Sequence, residues 1–222
     1  MVKTIQNTAQ GLFIALYGGS FDPLHYAHLE IIHILCEDPM YKQIILMPNY
    51  RNPLKNHSFF EPFERLEMCR ILANEINDTI ENKKYASIIV SDYEVCQKKS
   101  VFSVQSVAFI KEQMAHKYPN IPLVFVLGED SFRNLGQWKD VEKLCEMVDF
   151  VLIEREISQE DSQKLSHIVP YARVIERLNL PSHIAYYSSS YVRSLLQSNH
   201  IDEALEFIPQ CLHTFIKTHI KL

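Results

Sequence analysis

One stretch of the chain sets turn-forming residues, a stiff residue and two imidazoles in an order suited to phosphate: Gly18-Gly19-Ser20-Phe21-Asp22-Pro23-Leu24-His25-Tyr26-Ala27-His28. Gly18 and Gly19 allow backbone amides to approach a ligand and allow positive φ, while Pro23 stiffens the entry to whatever follows. His25 and His28 are three residues apart, so on a first helical turn both rings project from one face. An imidazole donates to non-bridging phosphate oxygens, and in its protonated form adds positive charge where charge grows in a transferring phosphoryl group. A bare H-x-x-H also fits a surface pair or two zinc ligands. The ordered string is more specific, and no third metal ligand stands near it in sequence. Asp22 reads as loop structure, bonding nearby amides in an Asx-turn.

A second cluster lies late in the chain, at Tyr187-Ser188-Ser189-Ser190-Tyr191-Val192-Arg193. Alone, serines before a helix are a cap. Beside a phosphate loop, the Ser188 and Ser190 hydroxyls and the Arg193 guanidinium, one turn in, make a second phosphate clamp.

These residues need a scaffold, and the hydrophobic pattern supplies one. Leu12–Tyr17 is a short continuous apolar run ending at the paired glycines, as a strand buried on both faces reads. His28–Cys36 carries Leu29, Ile32 and Leu35 at helical spacing, completing a βα unit. The alternation continues with strand Gln43–Met47, helix Glu61–Ile76, strand Tyr85–Val90, helix Val104–Tyr118, strand Pro122–Leu127, helix Lys139–Glu146 and strand Asp149–Ile153. Ser158–Leu180 reads as a helix and a short strand of no evident role. His183–Tyr187 reads as the last strand, and Ser189–Gln197, Asp202–Phe207 and Gln210–Ile220 as short helices. Such a series specifies an α/β, doubly wound, Rossmann-like and mostly parallel sheet with helices on both faces. A core over 12–187 and a helical C-terminal part over 188–222 are expected to form a single nucleotide-handling domain.

The chain has 222 residues, 47% of them hydrophobic and 22% charged, with a formal net charge of -5. This balance offers no global field for nucleic acid or an anionic membrane surface, so neither is expected as a partner. The polar start of the chain and the brevity of every apolar run predict a soluble protein without export signal or membrane span. Five scattered cysteines without a C-x-x-C pair predict free thiols in a reducing cytoplasm. Nothing marks an oligomer interface, and a homo-oligomer stays open.

The first loop resembles the G-G-T-F-D-P-x-H-x-G-H signature of the nucleotidylyltransferase superfamily, with Ser20 for threonine and Ala27 for glycine. The late cluster resembles its I-S-x-T-x-x-R. Between them the chain is similar to the nicotinate mononucleotide adenylyltransferases over nearly its whole length. Met47-Pro48-Asn49 with Asn52-Pro53-Leu54-Lys55 matches M-P-N…P-P-H-K, and Ser100–Ser106 matches P-S-Y-T-x-x-T through Phe102 and Ser103. Gly128-Glu129-Asp130-Ser131 and Leu135-Gly136-Gln137-Trp138 match G-x-D-S and a segment ending in tryptophan.

The resemblance implies adenylyl transfer from ATP to nicotinate mononucleotide in NAD biosynthesis, with Mg²⁺ carried in by the ATP. It implies that Gly18, Gly19, Ser20, Phe21, His25, His28, Ser188, Ser190 and Arg193 bind ATP, and that His25, His28 and Arg193 are catalytic. Lys55, Phe102, Ser103, Asp130 and Trp138 would bind the acceptor, with Asp130 at ribose hydroxyls and Trp138 stacked on the pyridinium ring. A related transferase for nicotinamide mononucleotide or another phosphomonoester, such as phosphopantetheine, and a nucleotide sensor without turnover, would share the fold.

Overall fold

The computed structural model describes residues 12–51, 58–79, 86–154 and 171–220. Six strands, β1 (Phe13–Gly19), β2 (Tyr41–Pro48), β3 (Ser87–Val90), β4 (Leu123–Gly128), β5 (Asp149–Glu154) and β6 (Val174–Asn179), form one sheet in the order β3-β2-β1-β4-β5-β6. Every pairing is parallel. The strand order reverses between β1 and β4, and the crevice beyond the carboxyl ends of strands at such a switch point is where open α/β sheets take ligands.

β1 lies at the centre and is covered on both faces. Ala15 and Tyr17 point into one apolar cluster, and Ile14 and Leu16 into the other. This explains why the strand reads as an unbroken apolar run rather than an alternating one. The first face is covered by α1 (Tyr26–Glu37) and α2 (Pro62–Thr79), the second by α4 (Ser103–Lys117) and α6 (Val141–Met147). The short α3 (Tyr93–Cys96) and α5 (Glu129–Arg133) sit in the connections after β3 and β4.

The C-terminal helices α7 (Ser182–Ala185), α8 (Ser189–Gln197), α9 (Ile201–Leu205) and α10 (His213–His219) send Ala185, Val192, Leu196, Leu205 and Ile216 into the same cluster as α1. Their apolar stripes are covered by the sheet side of the molecule, which is why helices this short persist. No helix among the described residues is long and apolar enough to cross a membrane.

Two expectations from the sequence need correction. His183–Tyr187 is not a strand: Ser182–Ala185 is helical and the chain then turns into α8. The last strand is β6, at the edge of the sheet, where half-buried side chains leave the mixed polar pattern V-I-E-R-L-N. It falls within the stretch expected to hold a helix and a short strand; residues 155–170 lie outside the described set.

Candidate active site

The glycine-histidine loop leaves β1 at its carboxyl end and enters α1. Gly18 and Gly19 do not carry its positive φ, contrary to expectation; Phe21 does, with φ 49°. The glycines are needed for close packing instead. A Cβ at Gly19 would lie 3.0 Å from the Phe21 ring, and one at Gly18 would lie 3.2 Å from the Phe125 ring. The left-handed backbone at a bulky residue costs of the order of 1–3 kcal/mol and persists only where the surroundings fix it. Here the Phe21 ring is fully buried, edge-on to Tyr17 at 5.4 Å and to His28 at 5.3 Å between centroids.

His25 is the N-cap of α1 and His28 its third residue, with the two rings 3.9 Å apart. The backbone N–H of His25 donates to Nδ1 of His28 at 3.3 Å. An accepting Nδ1 puts the ring proton of His28 on Nε2, so this imidazole presents an N–H donor in its neutral form. His25 is buried and His28 half-buried, beside the positive end of the α1 dipole.

Asp22 is a structural residue, but not through an Asx-turn. Its carboxylate accepts from the backbone N–H groups of Phe59 (3.0 Å) and Phe60 (2.9 Å), far along the chain at the approach to α2. Its carbonyl accepts from Arg193 at 2.6 Å. Ser189 donates to the carbonyl of Pro23 at 3.1 Å, and the backbone N–H of Tyr26 donates to Phe207 at 2.9 Å. The late serine cluster is thus stitched onto the first loop. Ser188 caps α8 by accepting from the N–H of Tyr191, and Ser190 accepts from Arg193 at 2.9 Å.

A cleft of about 360 Å³ opens at the carboxyl ends of β1, β4 and β5. It brings together Gly18, Gly19, Phe21, His25, His28, Asp130, Ser188 and Ser190. Arg193 stands behind its wall with the guanidinium engaged by Asp22 and Ser190, and Ser20 accepts from Asn49 at the β2 exit. Neither lines the cleft.

Phe102 and Ser103, the cap and first residue of α4, and Trp138 also stand outside the cleft lining. Phe102 is half exposed, and its N–H donates to Oε1 of Gln105. Trp138 packs edge-on to Phe125 at 6.1 Å, the same ring that crowds Gly18. Lys55, with Asn52, Pro53 and Leu54, lies outside the described residues.

The structure adds residues to which the sequence reading gave no part in the site. Ala27, Ile31, Ile153 and Leu180 form an apolar wall of the cleft. Ile31 follows His28 by one helical turn and Ile153 ends an apolar strand, so helical spacing and strand ends were the available signals. Arg65 is buried under the loop and donates to the Ser20 carbonyl at 2.6 Å. Glu94, also buried, accepts from Ser106 at 2.6 Å. Burial pushes its carboxyl up to about 7, against the opposing pull of Ser106 and Arg65.

The cleft sets two imidazoles and two serine hydroxyls beside an apolar shelf. A cytidylyltransferase-like family model matches residues 16–195. A protein of Helicobacter hepaticus described as a probable nicotinate-nucleotide adenylyltransferase is 69% identical over 94% of this chain and 96% of its own length. One of the same description from Aliarcobacter butzleri is 32% identical over 68% of this chain and 76% of its own. Among solved structures, the Plasmodium falciparum nicotinic acid mononucleotide adenylyltransferase complexed with NaAD superposes with a TM-score of 0.72 at 25% identity, covering 93% of this chain and 95% of that one. With its loop, cleft and late serine cluster in the places described, the chain belongs to the nicotinate-nucleotide adenylyltransferase family of cytidylyltransferase-like proteins.

Proposed function

We propose that the chain transfers the adenylyl group of ATP to the phosphate of nicotinate mononucleotide, giving deamido-NAD and pyrophosphate, and that the paired-imidazole loop is its phosphate site. The observation that carries this reading is the placement of His25 and His28, rings 3.9 Å apart at the start of α1, in one cleft with Ser188 and Ser190.

The acceptor needs no general base. A phosphate monoester has a second pKa of about 6 and is largely dianionic at neutral pH, so it attacks the α-phosphorus directly. What remains for the protein is alignment and charge neutralisation. His28 donates through Nε2 to an α-phosphate oxygen as the α-phosphorus–oxygen bond to the leaving pyrophosphate breaks, and His25 shares that task. Ser188 and Ser190 hold the departing pyrophosphate, with Arg193 behind them fixing the serine turn and adding positive charge. The wall of Ala27, Ile31, Ile153 and Leu180 suits a flat purine.

On the acceptor side, Asp130 takes ribose hydroxyls, Trp138 stacks on the cationic ring, and Lys55 with the amides at Phe102 and Ser103 holds the acidic groups. Mg²⁺ would arrive on the triphosphate rather than in a site built by the protein. Bound there, it would supply charge neutralisation at the phosphate oxygens. All five cysteines are free thiols, which suits work in a reducing cytoplasm.

Parallel steady-state assays of pyrophosphate release, with ATP and either nicotinate or nicotinamide mononucleotide, test the reading. The acid should win in kcat/KM. A preference for the amide, or turnover with neither, would sink it.

A further inference from the structure

Arg65, the fourth residue of α2, is 1% exposed. Its donors go to three separate parts of the chain: Nη1 to the carbonyl of Ser20 at 2.6 Å and to Oδ1 of Asn49 at 3.3 Å, Nη2 to the carbonyl of Tyr50 at 2.8 Å, and Nε to the carbonyl of Phe60 at 3.3 Å. Burying a cation is costly, and a rigid fork of donors is the side chain best able to join several acceptors at fixed angles. Its burial depresses the guanidinium's affinity for protons, while Asp22 and Glu94 act through space to restore it.

The acceptors fall in a pattern. Ser20 and Asp22 flank Phe21, the loop residue with left-handed backbone. Ser20 is held by Arg65, and Asp22 is held by the N–H groups of Phe59 and Phe60, so both neighbours of the strained residue are tied to one short segment, residues 59–65. Phe21 in turn sets its ring edge-on to His28 at 5.3 Å.

We propose that Arg65 is a positioning residue for adenylyl transfer: by pinning Ser20 to the exit of β2 and the start of α2, it holds Phe21 in its left-handed state and so sets where the His28 imidazole meets the α-phosphate. The proposal rests on the reading of this loop as the ATP site. Arg65 touches neither nucleotide in this scheme; it acts through Ser20 and Phe21.

The test compares the whole wild-type chain with Arg65→Lys and Arg65→Ala, each checked for folding by circular dichroism and thermal melting. A misplacement of the reacting groups of the order of 1 Å can lower turnover about a hundredfold. Accordingly, kcat should fall about tenfold to a hundredfold in both variants, while KM for ATP moves less than about threefold. Millimolar guanidinium should recover much of the kcat of Arg65→Ala, where equal sodium chloride should not. A purely structural role would lower the melting temperature without this split or this rescue. Should Arg65→Ala not fold, the milder Asn49→Ala, which removes one acceptor and the Asn49 bond to Ser20, should still lower kcat about threefold to tenfold at constant KM. Wild-type kcat in folded variants would overturn the proposal alone. Absence of turnover in the wild type with ATP and nicotinate mononucleotide would overturn the reading beneath it, and the proposal with it.

Discussion

Arg193 donates to the backbone carbonyl of Asp22 at 2.6 Å, joining α8, one turn in, to the loop after β1 across 171 positions of sequence. The same guanidinium reaches Ser190 at 2.9 Å, so one side chain sets the spacing between the two halves of the site.

Removing it should damage both stability and turnover. Arg193→Ala leaves a partly buried carbonyl without its donor, at a cost of about 1–3 kcal/mol. The melting temperature and kcat should fall together, and Arg193→Lys should recover part of each. If Arg193→Ala melted as the wild type does, the clamp assigned to this bond would be wrong.

His28→Ala should act on the chemical step. Loss of one well-placed donor to a charged transition state costs about a hundredfold to a thousandfold in kcat. The KM for ATP should move little, because the backbone cradle and the serine turn remain. Steady-state pyrophosphate release measures both, and an unchanged kcat would rule out the role given to this ring.

Gly19→Ala tests the packing of the loop. The new Cβ would stand 3.0 Å from a fully buried ring that has Tyr17 on one side and His28 on the other. Overpacking of this kind costs about 1–3 kcal/mol, and here it also shifts the Phe21 edge that faces His28. Stability should drop by that amount and kcat by about tenfold or more. Gly18→Ala, with a looser 3.2 Å contact to Phe125, should be milder in both. The reverse ranking would count against the packing argument.

Glu94 gives the fold a pH dependence of known sign. Burial raises its carboxyl from 4.5 to about 7, so between those values the folded chain keeps a proton that the unfolded chain has released. The resulting stabilisation is complete below about 4.5 and is lost as the pH rises to about 7, amounting to roughly 3 kcal/mol. Glu94→Gln, which cannot ionise, should gain on the wild type as the pH rises from 5 to 8 in urea denaturation. A gap between the two proteins that did not change with pH would remove Glu94 from the account.

Much of the scaffold was readable from the chain because its signals are local. β1 announced itself as an unbroken apolar run, and the loop after it as an ordered string of glycines, proline and histidines. The misreadings have physical causes. His183–Tyr187 carries apolar residues that look like a strand, yet Ile184, Ala185 and Tyr187 meet the core from a four-residue helix and the turn after it, and Tyr186 is exposed. β6 was only partly legible because an edge strand keeps half-buried, mixed side chains. The left-handed backbone of Phe21 was not legible, since positive φ is expected of glycine and two glycines stood beside it. Arg65 was invisible for another reason: in P-F-E-R-L-E it has the sequence of a solvated helix face, and only the fold brings Ser20, Asn49, Tyr50 and Phe60 around it. Asp22 was rightly assigned to loop structure, but its partners at Phe59 and Phe60 are long-range and carry no local mark.

The bonds from Ser189 and Arg193 back to Pro23 and Asp22 also order events in time. Synthesis proceeds from the N-terminus, so the loop with the histidines and its braces at residues 59–65 leave the ribosome well before Ser189 and Arg193 exist. A chain ending before residue 189 would keep the braces from Arg65, Phe59 and Phe60 but lack those from Ser189 and Arg193. The full set of contacts around the loop is therefore completed only with the last helices.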